Sequence, residues 1–291
     1  MKLNLKVNEI YKGLTIKEIL KEYHVGKGKI EELRNSKCVY LNNKLVTIDE
    51  KVEENDILTF DVEEKLNFKP SKVSIEVVYE DEQILIVNKP SGILIHPDGN
   101  EDSDTLVNRV AKYYFDKGLN IEVRYAHRID VETSGLVLFC KDFLTHSKIN
   151  YEVEKHIVLR EYRALVEGVI SKKDGVISFP IGKDRHLNNK YRVSTSEKAK
   201  EAITNYSVIK RMNNKTFVSC ILETGRTHQI RVHLSYIKHP LLGDVLYGGN
   251  KREISRVALH SYRIKLINPI TFKEIEVKKD VPIDMKRVVE K

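Results

Sequence analysis

No Cys-x-x-Cys pair occurs in the chain, and its three cysteines, Cys38, Cys140 and Cys220, stand far apart. That spacing argues against a disulfide framework and a zinc site, and it suits the cytoplasm. No cluster of His, Cys, Asp and Glu has metal-ligand spacing, so no metal is expected. The apolar runs are strand-length, far short of the ~20 residues a membrane span needs. Met1-Lys2-Leu3-Asn4 leads into no apolar h-region, so no signal peptide is expected. Gly-x-Ser-x-Gly is absent, and Gly26-Lys27-Gly28-Lys29 lacks the spacing of a phosphate loop. Internal repeats and low-complexity segments are missing too.

What is present is charge, unevenly placed. The net charge is +8. Residues 1–65 hold 12 basic and 13 acidic side chains, which leaves 38 basic and 29 acidic for the remainder. A basic excess of this kind suits a polyanionic partner, because neutralising phosphates drives nonspecific nucleic-acid affinity. A merely Lys-rich soluble protein would show the same total.

Residues 1–62 form a first unit. Ile16, Ile19, Leu20 and Tyr23 recur at helical spacing, Gly26 is expected to end that helix, and a second begins near Lys29. Cys38 to Val46 reads as a hairpin around Asn42-Asn43, and Asp56 to Phe60 as a strand. Lys27, Lys29, Arg34 and Lys37 offer a basic face or simply a solvated one. Residues 63–72 are mostly polar with one proline and read as a linker. Residues 73–291 form the larger unit. It opens with Val77-Val78-Tyr79 and Ile84-Leu85-Ile86-Val87, followed by the turn Asn88-Lys89-Pro90-Ser91-Gly92 and by Ile93 to Pro97. Asp104 to Tyr114 reads as a capped amphipathic helix whose Tyr113-Tyr114 pair belongs to the core. Lys141 to Lys155 is also expected to be helical. Residues 183–200, running from Lys183-Asp184-Arg185-His186 to Lys198-Ala199-Lys200, form a basic loop or hairpin able to grip phosphates.

The stretch that concentrates chemistry is His127-Arg128-Ile129-Asp130-Val131-Glu132-Thr133-Ser134-Gly135. It precedes Leu136-Val137-Leu138-Phe139-Cys140, an apolar run that reads as a buried strand. A polar solvated turn would account for the composition alone. Yet His-Arg-Ile-Asp-x-x-Thr-Ser-Gly resembles the signature of the RluA-type pseudouridine synthases, with Ile in place of the usual Leu. Further matches follow in order. Arg160-Glu161-Tyr162-Arg163-Ala164-Leu165-Val166-Glu167-Gly168 is similar to Lys-x-Tyr-x-Ala-x-Val-x-Gly, with Arg160 where Lys is usual. Gly225-Arg226-Thr227-His228-Gln229-Ile230-Arg231 and Pro240-Leu241-Leu242-Gly243-Asp244 resemble the third block. The first unit resembles an S4-type domain, although the usual Arg-Leu-Asp opening is missing.

The resemblance implies an α+β protein: a catalytic domain on a mixed, mostly antiparallel sheet, with a small N-terminal S4-like α/β RNA-binding domain. It implies isomerisation of uridine to pseudouridine within RNA, with no cofactor. Large-subunit ribosomal RNA is the expected partner, transfer RNA the alternative, and a cytoplasmic monomer the expected form. Asp130 is the implied catalytic carboxylate, Arg231 its salt-bridge partner with Arg226 as the alternative, and Tyr162 the active-site tyrosine. Arg128 is expected to fill the place of the flipped base or hold a phosphate, with Arg226 and His228 also binding RNA. Helical spacing from Thr227 would set Arg231 one turn from His228. His127, Thr133 and Ser134 are expected to brace the loop. Three other readings compete: a hydrolase using Ser134 with His127, a glycosidase pairing Glu132 with Asp130, and a noncatalytic RNA-binding protein. Mere RNA binding needs no acid in the pocket.

Overall fold

A computed structural model describes residues 2–99, 104–185, 187 and 189–290. The first unit is a four-stranded sheet carrying two helices. Its strands are β1 (Lys2–Lys6), β2 (Val39–Leu41), β3 (Lys44–Leu45) and β4 (Ile57–Asp61), in the order β1-β4-β2-β3. Helix α1 (Ile16–Glu22) starts at Thr15, whose hydroxyl accepts from Glu18 N while the Glu18 carboxylate accepts from Thr15 N. This reciprocal capping satisfies two donors that an uncapped helix leaves open. Gly26 does not end α1. The chain turns out at His24, with φ 57°, and Gly26 is the N-cap of helix α2 (Lys27–Asn35). The hairpin turn is Asn42-Asn43 as expected, both residues at positive φ (50° and 67°), which matches the twist of the strands it joins. Strand β1, with its alternating exposed and buried residues, lies outside the elements anticipated from sequence.

The second unit is built on a ten-stranded sheet. Its elements are β5 (Glu76–Glu80), β6 (Ile84–Lys89), α3 (Leu106–Asp116), β7 (Arg124–Tyr125), β8 (Ser134–Cys140), α4 (Phe143–Glu154), β9 (Leu159–Glu167), β10 (Asp174–Ser178), β11 (Ile181–Lys183), β12 (Tyr191–Val193), β13 (Ile203–Met212), β14 (Lys215–Leu222), α5 (Gln229–Tyr236), β15 (Leu259–Ile267), β16 (Glu274–Lys278) and α6 (Ile283–Glu290). The order is β10-β13-β14-β9-β15-β8-β6-β5, with β16 on β15 and β7 on β8. Pairing is antiparallel except where β15 runs parallel to β8. Strands β11 and β12 make a separate hairpin that begins just before the basic 183–200 segment and runs into it. His186 of that segment lies outside the described residues.

Strand β8 is buried along its whole length because both sheet faces are covered. Val137 and Phe139 face α3 and its Val110, Ala111 and Tyr114. Leu136, Leu138 and Cys140 face the opposite cluster, with Ile149 of α4 and Val158. The apolar run therefore does not alternate. The two units share a core: Phe143 and Leu144 pack among Leu58, Phe60 and Leu20 of the first. Residues 63–72 carry no helix or strand, yet they are docked. Glu64 pairs with Arg124 at 2.7 Å, and Leu66 and Phe68 pack on the main core.

Candidate active site

Asp130 lies on the loop that delivers the chain into β8, and the turn at Asn88–Gly92 clamps this loop from outside. The Lys89 ammonium, fully buried, donates to the carbonyls of Pro90, Ile93 and Val131. Gly92 N also donates to Val131 O, and Ser91 Oγ donates to Glu132 O. Thr133 N closes the turn on Asp130 O. Gly135 ends the loop at φ +110°, with β15 so near that a Cβ would sit 2.3 Å from Ser261 O. Only glycine meets both demands.

The expected braces behave differently from one another. His127 Nε2 accepts from Leu138 N, so the proton of the neutral ring sits on Nδ1. Burial, reinforced by Arg160, drives the His127 pKa down to about 3. Ser134 faces His260, not His127. His260 Nε2 must donate to the carbonyl of Lys279, leaving Nδ1 to accept from the Ser134 hydroxyl at 2.9 Å. Both side chains are buried away from the cavity. This is a structural tie, not a nucleophile with its base.

The Asp130 carboxylate enters a cavity of about 460 Å³ lined by the 127–133 loop, the end of α4, β9 and residues 225–231. Arg231 Nη1 stands 3.5 Å from Asp130 Oδ2, and His228 Nε2 stands 3.9 Å from the same oxygen. Helix α5 begins at Gln229, later than expected, because His228 takes φ 57° as its N-cap. Burial, followed by the positive charge of Arg231, lowers the His228 pKa, while Asp130 opposes the shift. Gln229 organises the preceding turn, its amide oxygen accepting from Thr224 Oγ1 and Arg226 N.

Two residues of this centre were not singled out from sequence. Asp244, almost fully buried, accepts from Arg231 Nε and Nη2 at 2.7 and 2.9 Å. Tyr247 lies with its ring 5.0 Å from the Arg231 guanidinium carbon. Its hydroxyl accepts from Tyr191 N and contacts His228 Nδ1 at 2.9 Å. A Tyr247 O–H donated to Nδ1 puts the imidazole proton on Nε2, facing Asp130. The only sequence signal for Asp244 was its place after Gly243.

The remaining expected residues divide. Tyr162 lines the cavity and is 5% exposed, and burial raises its pKa. Arg128 is exposed at the cavity wall, and its guanidinium bonds to nothing among the described residues. Arg226 borders the cavity but donates through Nε to Glu201 O, so Arg231 is the arginine at Asp130. Glu132 is exposed outside the cavity lining, so it is not placed to act as the second acid a glycosidase would pair with Asp130. Among the described residues there is no cluster able to hold a metal ion and no helix long and apolar enough to cross a membrane.

A family model for RNA pseudouridylate synthase matches residues 83–236. The solved structure of human RNA pseudouridylate synthase domain containing 1 superposes with a TM-score of 0.61 at 25% identity, covering 73% of this chain and 86% of its own. The chain belongs to the RNA pseudouridylate synthase family and is an RNA-directed isomerase. Within it, residues 3–58 match the N-terminal domain of the RluD ribosomal pseudouridine synthase. YhcT of Bacillus subtilis (strain 168), described as an uncharacterized RNA pseudouridine synthase, is 35% identical across 98% of this chain and 96% of its own. The ribosomal large subunit pseudouridine synthase D of Buchnera aphidicola is 34% identical across 86% of this chain and 84% of its own.

Proposed function

We propose that this enzyme isomerises uridines in large-subunit ribosomal RNA, with Asp130 as the catalytic carboxylate. The observation that carries the reading is the Asp130 carboxylate held 3.5 Å from the buried Arg231 inside a cavity bordered by Tyr162. The N1–C1′ bond of uridine breaks, the uracil turns over, and C5 bonds to C1′ as its proton leaves and N1 takes one up. The Arg231 guanidinium beside Asp130 faces its carboxylate throughout this sequence. The base must leave its stack to reach the carboxylate, at a cost of a few kcal/mol in duplex RNA and less in a loop. Tyr162 offers a ring for the flipped uracil, and Arg128, free at the cavity wall, fills the vacated stack. The substrate class rests on the relatives named for large-subunit ribosomal RNA. The working form is a cytoplasmic monomer.

The test uses RNA tritiated at C5 of uridine, since isomerisation releases that label to water. Large-subunit ribosomal RNA and bulk transfer RNA transcripts are assayed separately with the protein and with Asp130→Asn. Release from the ribosomal RNA alone, reduced at least about 10³-fold in the variant, is expected for loss of the reacting carboxylate. Release from transfer RNA alone would overturn the substrate class, and undiminished release by the variant would overturn the role of Asp130. Retained RNA binding by the silent variant would separate the enzyme from a mere binding protein.

A further inference from the structure

Arg160 is the residue of the cavity whose chemistry the isomerisation leaves unused. Strand β9 carries it two positions before Tyr162, so period-two alternation sends both side chains to one face. Glu161 points to the other face, where Ser219 and Arg163 meet it. The Arg160 residue is 5% exposed, and its Nε and Nη2 are buried without a hydrogen-bond partner. An arginine cannot shed its charge to escape such a site. Buried donors are almost always met, so this pair calls for an acceptor that arrives with a ligand.

The surroundings say which ligand. Gly225 lies over the guanidinium: a Cβ there would stand 3.7 Å from Nη1, so a longer side chain would cover it. His156 Nδ1 is likewise buried without a partner, His127 Nδ1, which carries the ring proton, has only the Arg128 backbone close to it, and both residues line the same cavity. Arg226 also borders this wall, and Glu154 and Glu223 are acids near His156. Nε and Nη2 form a parallel fork of two donors. Uracil presents O2, N3–H and O4, so a fork laid along its edge would meet a donor between two acceptors. Two phosphate oxygens fit the fork. We propose that Arg160, with His127 and His156 beside it, forms a phosphodiester subsite that grips the backbone next to the flipped uridine. Contacts of this type fix register and carry no sequence information. Arg160 is thus a substrate-binding residue distinct from the Asp130 centre.

The proposal rests on the cavity being the uridine site, and the experiment keeps the two apart. Uridine and uridine 3′,5′-bisphosphate are titrated against the protein, Arg160→Met and Arg160→Lys, with tritium release from ribosomal RNA measured in parallel. The wild-type protein should bind the bisphosphate about tenfold or more tightly than uridine, as expected for one charge-assisted bidentate contact. Arg160→Met should lose that preference and leave uridine affinity unchanged, and Arg160→Lys should keep part of it. On RNA the Arg160→Met loss should fall on KM more than on kcat. Equal weakening of both ligands, or a wild-type protein without the preference, would overturn the subsite. Isomerisation with an unaltered KM in Arg160→Met would overturn it alone. A wild-type protein silent on every RNA, yet with the Arg160-dependent preference, would overturn the isomerase reading and leave the subsite standing.

Discussion

Arg231 gives its fork to Asp244 and only its outer nitrogen to Asp130. Nε and Nη2 meet the buried Asp244 carboxylate at 2.7 and 2.9 Å, while Nη1 reaches Asp130 at 3.5 Å. The bidentate pair aims the guanidinium, and the looser contact leaves Asp130 free to approach a substrate. Asp244→Ala should therefore strike both stability and rate. Leaving Arg231 buried without its fork partner should cost about 3–5 kcal/mol. Misaiming it should lower kcat by about 100-fold. Arg231→Lys should lose rate as well, since an ammonium cannot serve both carboxylates with a planar fork. Denaturant titration and tritium release measure the two effects, and an Asp244→Ala enzyme of unchanged kcat would break the link.

Gly135→Ala should destabilise the fold through strand packing, without touching the reacting groups. Its Cβ would fall 2.3 Å from Ser261 O, at φ +110°. Backbone strain with forced separation of β8 from β15 should cost about 2–4 kcal/mol. A thermal midpoint within a degree of wild type would contradict the close approach.

Acid should weaken the protein through two buried histidines. Burial lowers His127 to about 3 and His260 to about 4. In the unfolded chain each takes up a proton below about pH 6.5, whereas the native state resists until those lower values. Their full contribution is present above pH 6.5. It declines by about 1.4 kcal/mol per pH unit for each as pH falls toward 4. His260→Gln removes one of the two, so its stability difference between pH 6.5 and 4.5 should be smaller than wild type by about 2–3 kcal/mol. Equal differences would show that His260 does not titrate in this way.

The two units should unfold together. Phe143 of α4 sits in the first unit's core, edge-on to Phe60 at 5.5 Å, and Tyr23 Oη donates to Pro269 O. Phe143→Ala should remove about 3–5 kcal/mol. Tryptic protection of residues 1–62 should fall with that of the catalytic domain, and separate transitions in the wild-type protein would show that the cores are independent.

Much of the fold was legible in local patterns. Alternation marks Tyr162, Ala164 and Val166 on one face of β9, the run 136–140 reads as a buried strand, and Asn42-Asn43 reads as a turn. Each depends on neighbours within a few residues, where backbone sterics and periodic burial are strongest. Strands β10 and β13 escaped because their residues are half-exposed or mixed, and β1 and β16, although they alternate, because so short a run gains its conformation from the partner strand.

By itself the sequence determined which chemical groups the enzyme has to work with. The carboxylate of Asp130, the ring of Tyr162 and the arginines of residues 225–231 are written into contiguous motifs, and the types of side chain follow from them. Only the tertiary structure decided how those groups are shared. Asp130 and Arg231 are 101 residues apart, and Ser134 meets His260 across 126. Arg231 prefers Asp244, Ser134 avoids His127, and Arg160 is left with open donors because sheet register and burial choose partners at distances no local pattern records. A fork with one acceptor on offer takes it, and a buried donor with none waits for a ligand.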